Sequence, residues 1–277
     1  MKHRRKRNTS IAWLILLFSI CGMIFFGYRL WDTQQTYRKG NQSYEQLAAR
    51  VRPDGSSLIH TPETSKEPLE ANAPLEIDAP AAPVIEIPDM SIDFTTLRAI
   101  NTDAAGWLYS PGTVIDYPVM QATDYDYYLR HLPDGTYNAN GTLFIDYNCA
   151  PDFGDNLTII YGHHMKSGRM FGSIVGYKRQ AYFDEHPYMY LYTEHGNYRI
   201  DLMYGCVIGA GKWRERAFMY KENLDALLDY AAYNTTFESD VQYHEGEKII
   251  VLSTCSYEFN SARYIVIGVL RPEYADD

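Results

Sequence analysis

Two segments near the C-terminus bring a thiol and a guanidinium to the ends of neighbouring apolar runs. Cys255 follows the run Lys248–Ser253, and a second run, Tyr264–Leu270, begins nine residues after Cys255, with Arg263 immediately before it. Both runs are rich in β-branched residues and predict β-strands, so a turn between them can bring Arg263 back toward Cys255. The alternative is a buried structural cysteine beside a solvated arginine, because cysteines that form no disulfide are commonly buried.

A histidine follows a third run far upstream. The apolar run Leu157–Tyr161 is followed by Gly162 and then by His163. An imidazole near a thiol favours the thiolate, which is the form that attacks a carbonyl carbon, and it can later protonate a departing amine. Arg263 is always charged and only donates hydrogen bonds, so it suits an oxyanion or a substrate carbonyl. With Cys255, these residues are typical of acyl transfer.

The other histidines and cysteines allow two further kinds of site to be weighed. In principle five side chains could supply metal ligands: His163, His164, His186, His195 and Cys255. No pair of them has the i, i+4 spacing of a helical metal site or Cys-x-x-Cys spacing, and adjacent histidines on a strand diverge. We therefore predict no metal and no cofactor. Cys149 and Cys206 could pair outside the cell, but the sequence does not fix their distance, and structural thiols are the simpler interpretation.

These reactive residues need a scaffold of strands. Seven short runs are rich in β-branched and aromatic residues: Thr113–Met120, Gly141–Tyr147, Leu157–Tyr161, Tyr188–Thr193, Tyr198–Ile208, Lys248–Ser253 and Tyr264–Leu270. The turn at Glu194–Asn197 and the shortness of most connections favour antiparallel pairing. We predict a mainly β fold, a closed or nearly closed barrel of seven to eight mostly antiparallel strands with a few helices, since closure removes exposed edges.

Two helices are expected beside the strands. Asp93 can cap a short helix that carries Phe94 and Leu97 on its apolar side and ends near Asn101. Farther along, Glu222–Tyr233 places leucines and an alanine on one helical face. A helix is therefore predicted to interrupt the series of strands before the last two.

The charge distribution separates the N-terminus from the rest of the chain. The 277 residues include 25 basic and 35 acidic ones, for a net charge of −10. Residues 1–31 contain basic residues and no acidic one, so the remainder is more acidic than the whole chain. An acidic body without a basic stripe cannot neutralise phosphates, so we predict no nucleic-acid partner.

An apolar segment follows the N-terminal basic residues. Ile11–Tyr28 is an uncharged run close to the roughly 20 residues that a helix needs to cross a bilayer. The basic cluster before it should stay in the cytoplasm, which places everything after Trp31 outside the cell. We predict a single-pass, uncleaved signal anchor in the cell membrane. The alternatives are a cleaved signal peptide, although no Ala-x-Ala site follows, and lipidation at Cys21, although Ile20 is bulky for such a signal.

A segment without aromatic residues separates the anchor from the predicted barrel. No aromatic residue occurs from Glu45 to Asp93, and prolines recur from Pro53 to Pro88, a composition typical of a semi-rigid tether. Four residues near its start recur at helix-like spacing: Tyr37, Tyr44, Leu47 and Val51. They indicate a juxtamembrane helix, with a solvated stalk as the alternative. We divide the chain into a basic tail and anchor (1–31), a Pro-rich extracellular stalk (32–90) and a catalytic domain (91–277).

Taken together, the motifs resemble those of a known family. Four segments are similar to the signature segments of class B sortases: Thr158-Ile-Ile-Tyr-Gly-His163, Met170-Phe171-Gly172, Leu252-Ser253-Thr254-Cys255 and Ala262-Arg263-Tyr264-Ile265-Val266. Upstream segments agree: Gly106-Trp107-Leu108, Pro111-Gly112-Thr113 and Ile115-Asp116-Tyr117-Pro118-Val119. The order of these segments, their strand context and the N-terminal anchor make the resemblance far more specific than a lone Gly-His or Thr-Cys pair.

The resemblance implies the sortase β-barrel and a membrane-anchored cysteine transpeptidase. In it, Cys255 would be the nucleophile, His163 the general acid and base, and Arg263 the stabiliser of the transition state. Similar enzymes cleave a sorting signal containing Pro-x-Thr after the threonine, hold the protein as a thioacyl-enzyme and pass it to a peptidoglycan or pilin amine. The implied partners are surface proteins with a C-terminal sorting signal and the accepting amine. Substrate-binding roles are implied for three residues, Tyr161, Ser253 and Leu129.

Two positions depart from the family pattern, and two other functions stay open. His164 and Tyr125 stand where relatives commonly have asparagine. Because neighbours on a strand point to opposite faces, only one of His163 and His164 should meet Cys255, and the resemblance selects His163. A sortase-like hydrolase would use the same chemistry with water in place of the amine. A non-catalytic surface adhesion or scaffold module, with Cys255 in its core, is the alternative from another class.

Overall fold

A computed structural model describes residues 2–52, 87–121, 123–214 and 223–273. Most of the predicted stalk, including every proline of that segment except Pro88, lies outside the described residues. Glu222, the first residue of the second predicted helix, lies outside them as well. The structure therefore covers the predicted anchor segment, its C-terminal continuation and nearly all of the predicted catalytic domain.

Eight strands form a closed barrel, which confirms the predicted fold class. The strands are β1 Ala104–Tyr109, β2 Asp116–Gln121, β3 Leu143–Ile145, β4 Leu157–Tyr161, β5 Tyr188–Thr193, β6 Gly196–Gly209, β7 Lys248–Ser256 and β8 Ala262–Pro272. Around the barrel their order is β1-β2-β3-β4-β7-β8-β6-β5, and β5 pairs back onto β1. The sequence patterns predicted every strand except β1, with β2 and β3 shorter than expected.

Two of the barrel's ladders are parallel, β2 with β3 and β4 with β7, and the others are antiparallel. In the β4–β7 ladder, Leu157 pairs with Ile249 and Tyr161 pairs with Ser253. Parallel strands end at the same edge of a sheet. The residues that follow β4 and those that end β7 therefore share one edge of the barrel.

The described residues include five α-helices: α1 Lys2–Val51, α2 Phe94–Ile100, α3 Gln180–Glu185, α4 Ala210–Arg214 and α5 Leu224–Asn234. Short 3-10 helices cover Tyr127–Leu129 and Ser173–Lys178. The cap predicted for α2 is present, since the backbone N–H of Thr96 donates to Asp93 Oδ1 at 2.9 Å. Most of the second predicted helix is confirmed as α5, which begins two residues later than expected.

Strand alternation divides the side chains of β7 and β8 between two apolar clusters. Leu252 and Val266 point into the barrel and join its core. Val251 and Ile265 point outward and join a second cluster, to which Leu227 of α5 also belongs. Helix α5 thus contributes to the apolar cluster on the outer face of the strands that carry Cys255 and Arg263.

Helix α1 runs without a break from the basic N-terminus to Val51. Within Trp13–Val51 the most apolar window has a mean hydropathy of 1.8, so this helix is long and apolar enough to cross a membrane. Its last turns pack on the barrel domain, where Tyr44, Leu47 and Val51 are buried. Of the two alternatives for this segment, the helix is confirmed, and its C-terminal part packs on the barrel rather than forming a solvated stalk.

The end of α1 is tied to the barrel by a buried cation. Arg52 is only 8% exposed, its guanidinium lies 4.8 Å above the Trp107 ring, and it forms an ion pair with Asp116. The Trp107 Nε1–H also donates to Asp116, at 2.7 Å. One carboxylate therefore satisfies both a buried charge and a buried indole.

Replacing Asp116 by alanine should lower the free energy of unfolding by about 2–4 kcal/mol, because a buried charge and an indole N–H lose their shared acceptor. Glu194→Ala is the matched control, since its partner Arg98 is 44% exposed and exposed pairs contribute about 0–1 kcal/mol. Urea denaturation followed by tryptophan fluorescence measures both values. Equal losses of unfolding free energy in the two variants would contradict a stabilising role for the buried Arg52–Asp116 ion pair.

Candidate active site

Cys255 lies one residue before the end of β7, and its side chain is exposed. By alternation it points to the same outer face as Val251, beyond the cluster that α5 covers. Cys149 and Cys206 are buried and form no disulfide, so structural thiols are the correct interpretation. Burial raises the pKa of the Cys206 thiol to about 12. Cys255 is therefore the thiol of the barrel domain that solvent can reach.

Arg263 lies directly across from Cys255 in the antiparallel pairing of β7 with β8. Residues opposite each other in a ladder share a face, and Arg263 Nη1 donates to Cys255 Sγ at 3.3 Å. The predicted approach of the guanidinium to the thiol is therefore present. The guanidinium is also close enough to donate to an oxygen that gains negative charge beside the sulfur.

His163 lies two residues after the end of β4. The last pair of the β4–β7 ladder is Tyr161 with Ser253, and within that pair the backbone N–H of Gly162 donates to the Ser253 carbonyl at 3.2 Å. Counted two residues beyond this pair, His163 and Cys255 occupy corresponding positions where the two parallel strands meet one edge of the barrel. The imidazole thus follows one strand beside β7, and the guanidinium lies on the strand at its other side.

Gly162 keeps this edge closely packed. A Cβ at this position would lie 2.5 Å from Leu143 Cδ2 and 2.6 Å from Phe171 Cδ2, so only glycine fits against the barrel core. Its carbonyl accepts a 2.8 Å hydrogen bond from the buried Thr254 hydroxyl. Gly162 and Thr254 therefore face inward, which directs their neighbours His163 and Cys255 outward.

A backbone carbonyl fixes the proton position on His163. Its Nε2 lies 2.6 Å from the Leu129 carbonyl oxygen. Because a carbonyl oxygen only accepts hydrogen bonds, Nε2 must carry the proton. In the neutral ring, Nδ1 is then the nitrogen that can accept a proton from a thiol or an amine.

His164 has a different partner. Its Nδ1 donates to the backbone carbonyl of Cys255 at 2.7 Å, and its ring lies 4.8 Å from the Tyr257 ring. The side chain therefore braces the main chain at the nucleophile and the adjoining turn. The divergence predicted for the two histidines agrees with these separate hydrogen bonds.

The three predicted substrate-binding residues differ in how accessible their side chains are. Tyr161 is partly exposed on the outer face, and its hydroxyl donates to Asp146 Oδ2 at 2.9 Å. Leu129 is also partly exposed, but its carbonyl is occupied by His163. Ser253 is fully buried, and its Oγ has no hydrogen-bond partner among the described residues. Direct access to a ligand is therefore open at Tyr161 and at the Leu129 side chain, and closed at Ser253.

Sequence reasoning missed Asp146, whose carboxylate holds two tyrosine hydroxyls in place beside the candidate site. This carboxylate is 1% exposed and accepts hydrogen bonds from the hydroxyls of Tyr125, at 3.0 Å, and Tyr161. Burial and the Asp146 charge raise the pKa of Tyr161 above its ordinary value. Tyr125, the departure from the family pattern, is thus part of this network. The signal in the sequence was an acidic residue directly after an apolar strand.

The turn after Cys255 is braced from its other side. The Lys178 ammonium donates to Ser256 Oγ at 3.0 Å and forms an ion pair with Glu258. Burial raises the pKa of Glu258, but hydrogen bonds from Lys178 and Ser256 outweigh it and leave the pKa below its ordinary value. The carboxylate therefore stays charged and holds the turn at neutral pH.

Comparison with known proteins extends these findings. No protein-family model matches the chain. It is 32% identical to sortase B of Listeria monocytogenes over 178 residues, which cover 63% of this chain and 72% of that protein. It is 23% identical to sortase B of Staphylococcus aureus over 268 residues, 96% of this chain and 97% of that protein. The X-ray structure of Clostridium perfringens sortase B matches with a TM-score of 0.59 and 28% identity, over 64% of this chain and 98% of that one.

The similarity agrees with the fold and with the residues already described. The matched structure is itself a sortase B and is covered almost entirely, and the listerial relative shares nearly a third of its aligned residues. The eight-stranded closed barrel matches the fold of the sortase B structures. This chain belongs to the class B sortases and is a sortase cysteine transpeptidase.

Proposed function

We propose that Cys255, His163 and Arg263 catalyse transpeptidation in this sortase. The observation that carries the proposal is the 3.3 Å contact between Arg263 Nη1 and Cys255 Sγ, at the edge where His163 follows the neighbouring strand. The thiol is exposed, whereas Arg263 and His163 are partly buried. Substrate can therefore approach the sulfur while the two supporting groups stay fixed.

The first half-reaction forms a thioacyl-enzyme. His163 takes the proton of the Cys255 thiol on Nδ1. The resulting thiolate attacks the carbonyl carbon of the threonine in a Pro-x-Thr sorting signal, and the carbonyl oxygen becomes an oxyanion. The Arg263 guanidinium stabilises that charge through its N–H donors. The intermediate collapses as the C–N bond breaks, and His163 gives a proton to the departing amine.

The second half-reaction restores the thiolate. An amine of a peptidoglycan precursor or a pilin attacks the thioester carbonyl, and His163 takes the proton that this nitrogen loses. The C–S bond breaks as the new amide bond forms. One amide is exchanged for another, so the cycle needs no cofactor and no further co-reactant. Water in place of the amine would make the same residues a hydrolase.

The sorting signal is proposed to lie on the outer face beside these residues. Tyr161 and Ser253 are paired two residues before His163 and Cys255, on the same face of the sheet. The Tyr161 ring and the Leu129 side chain offer partly exposed apolar surface to the signal. Ser253 contributes directly only if the group that covers it moves when the signal binds.

Residues 11–28 are proposed to hold the enzyme in the cell membrane. The apolar part of α1 is compatible with such an anchor, and the basic residues before it favour a cytoplasmic N-terminus. Residues 32–90 then connect the anchor to a catalytic domain, 91–277, that lies outside the cell. The proposed partners, surface proteins with a C-terminal sorting signal and the accepting amine, are found on that side.

Substitutions at this edge of the barrel should distinguish the residues that catalyse the reaction from a neighbour that only supports them. Cys255→Ala should abolish cleavage, and Arg263→Lys should lower kcat/KM by about 10²–10³-fold, because lysine lacks the planar fork of donors. His163→Gln should lower it by about 10²–10⁴-fold, the usual contribution of an acid–base group. His164→Gln is the matched control and should cost less than tenfold, roughly what one positioning hydrogen bond contributes. Mass spectrometry with a Pro-x-Thr peptide library and candidate amines detects the Cys255 adduct and the product.

Each alternative predicts a different result in that experiment. Cleavage by the Cys255→Ala protein would refute the mechanism. The absence of any adduct across the library would favour a non-catalytic scaffold. An adduct that releases only the free acid, whatever amine is added, would favour a hydrolase.

Thiol labelling of intact cells tests the orientation. Cys255 should react with a membrane-impermeant thiol reagent added outside, because it is exposed and the proposal places it outside the cell. Asn8→Cys in a Cys255→Ala background is the control and should react only after the membrane is permeabilised. The opposite pattern would place the catalytic domain in the cytoplasm and overturn the topology.

A further inference from the structure

We infer that the C-terminal part of α1 is a positioning element for His163, so that the membrane helix itself holds the acid–base group in place. The inference rests on the proposed role of His163. It is carried by an unbroken series of hydrogen bonds from Tyr44 of α1 through Thr142 to the segment that holds the His163 ring.

The first contact is made by Tyr44. Its side chain is 6% exposed, its ring lies 5.1 Å from the Tyr117 ring, and its hydroxyl bonds the Gly141 carbonyl and lies 3.0 Å from Thr142 Oγ1. The Thr142 hydroxyl donates its own proton elsewhere, to the His131 carbonyl at 2.7 Å. The single Tyr44 proton is therefore shared by two acceptors on the same loop.

The second contact fixes α1 in one register on that loop. At Gly40 a Cβ would lie 2.4 Å from Asn140 Nδ2 and 2.8 Å from Asn138 Oδ1, so the helix approaches as closely as glycine allows. Asn138 Nδ2 donates to the Thr36 carbonyl at 3.0 Å. Asn140 Nδ2 donates to Asn41 Oδ1 at 3.2 Å. Side chains from the barrel domain thus bind the helix on both sides of Gly40.

The same loop supports the segment 128–131. The Thr142 N–H donates to the Tyr128 carbonyl at 2.8 Å, and the Asn138 N–H donates to the Arg130 carbonyl at 2.8 Å. Between these two supported residues lies Leu129, whose carbonyl accepts the His163 Nε2–H. A displacement of the loop therefore moves the acceptor that fixes the His163 proton.

The continuity of α1 extends this support to the membrane. The helix is unbroken from the apolar segment to Val51, and the 12 residues from Tyr28 to Gly40 span about 18 Å at 1.5 Å per residue. The helix proposed to cross the bilayer is thus the same helix that accepts hydrogen bonds from Asn138 and Asn140 of the loop. We expect the anchor to set both the position of the domain and the geometry of His163.

Tyr44→Phe tests the inference in the full chain in detergent. The ring is kept and the hydroxyl removed, so kcat should fall about tenfold with KM unchanged, because a small misplacement of a catalytic group lowers the rate steeply. Tyr192→Phe is the matched control, since it likewise removes one tyrosine hydroxyl that connects the barrel to the chain before it. The Tyr192 hydroxyl donates to the Pro88 carbonyl at 2.9 Å. That bond has no link to segment 128–131, so kcat should change less than twofold.

Two further readouts distinguish positioning from loss of stability. The nitrogen-15 shifts of His163 should report a proton on Nε2 in the parent and in Tyr192→Phe, and a mixture of tautomers in Tyr44→Phe. Thr142→Val removes the bonds of the Thr142 hydroxyl to Tyr44 and to the His131 carbonyl and should also lower kcat. Thr142→Ser keeps the hydroxyl, so its kcat should equal that of the parent. The melting temperature of each variant shows how much stability was lost.

The outcomes separate this inference from the proposed function. If His163→Gln retains activity, the proposed role of His163 fails. If His163 is essential but Tyr44→Phe and Thr142→Val match Tyr192→Phe in kcat and in the His163 spectrum, the positioning role of α1 is overturned and the catalytic proposal stands.

Discussion

The parallel pairing of β4 with β7 is the constraint on which the candidate site depends. Parallel strands end at one edge, and counting two residues beyond the Tyr161–Ser253 pair brings His163 and Cys255 to corresponding positions at that edge. The antiparallel pairing of β7 with β8 sets Arg263 directly across from Cys255. The imidazole therefore follows one strand beside β7, and the guanidinium lies on the other neighbouring strand, 3.3 Å from the sulfur.

Strand alternation makes this edge rigid. The residues between the functional ones face inward, where Gly162 fits tightly against Leu143, Thr254 bonds the Gly162 carbonyl and Tyr264 is fully buried. Each of these inward residues is fixed by the packing of the core, so its outward neighbour has little freedom. The barrel core thus preorganises the outer residues together with the bonds that Arg263 and His163 make to Cys255 and Leu129.

Much of the fold could be predicted because apolar and β-branched runs mark most strands, and β4 and β5 have the predicted bounds. Strand β1 was missed because Ala104, Ala105 and Gly106 have low β-propensity; its extended conformation comes from pairing with β2 and β5. The packing of α1 on the barrel could not be predicted from the sequence for a similar reason. The spacing of Tyr44 and Leu47 predicts a helix, but the surface that buries it is formed only by the folded barrel.

The reactive side chains could be predicted from residue type and spacing, whereas their backbone partners could not. Every residue has a carbonyl, and only the tertiary structure selects Leu129 as the acceptor for His163 and Cys255 as the acceptor for His164. Two adjacent histidines thereby acquire different tasks. The Leu129 bond occupies Nε2–H and leaves Nδ1 available for proton transfer. The bond to the Cys255 carbonyl joins His164 to the main chain of the nucleophile. In this protein, the difference between an acid–base imidazole and a bracing one is therefore set by the backbone around each ring.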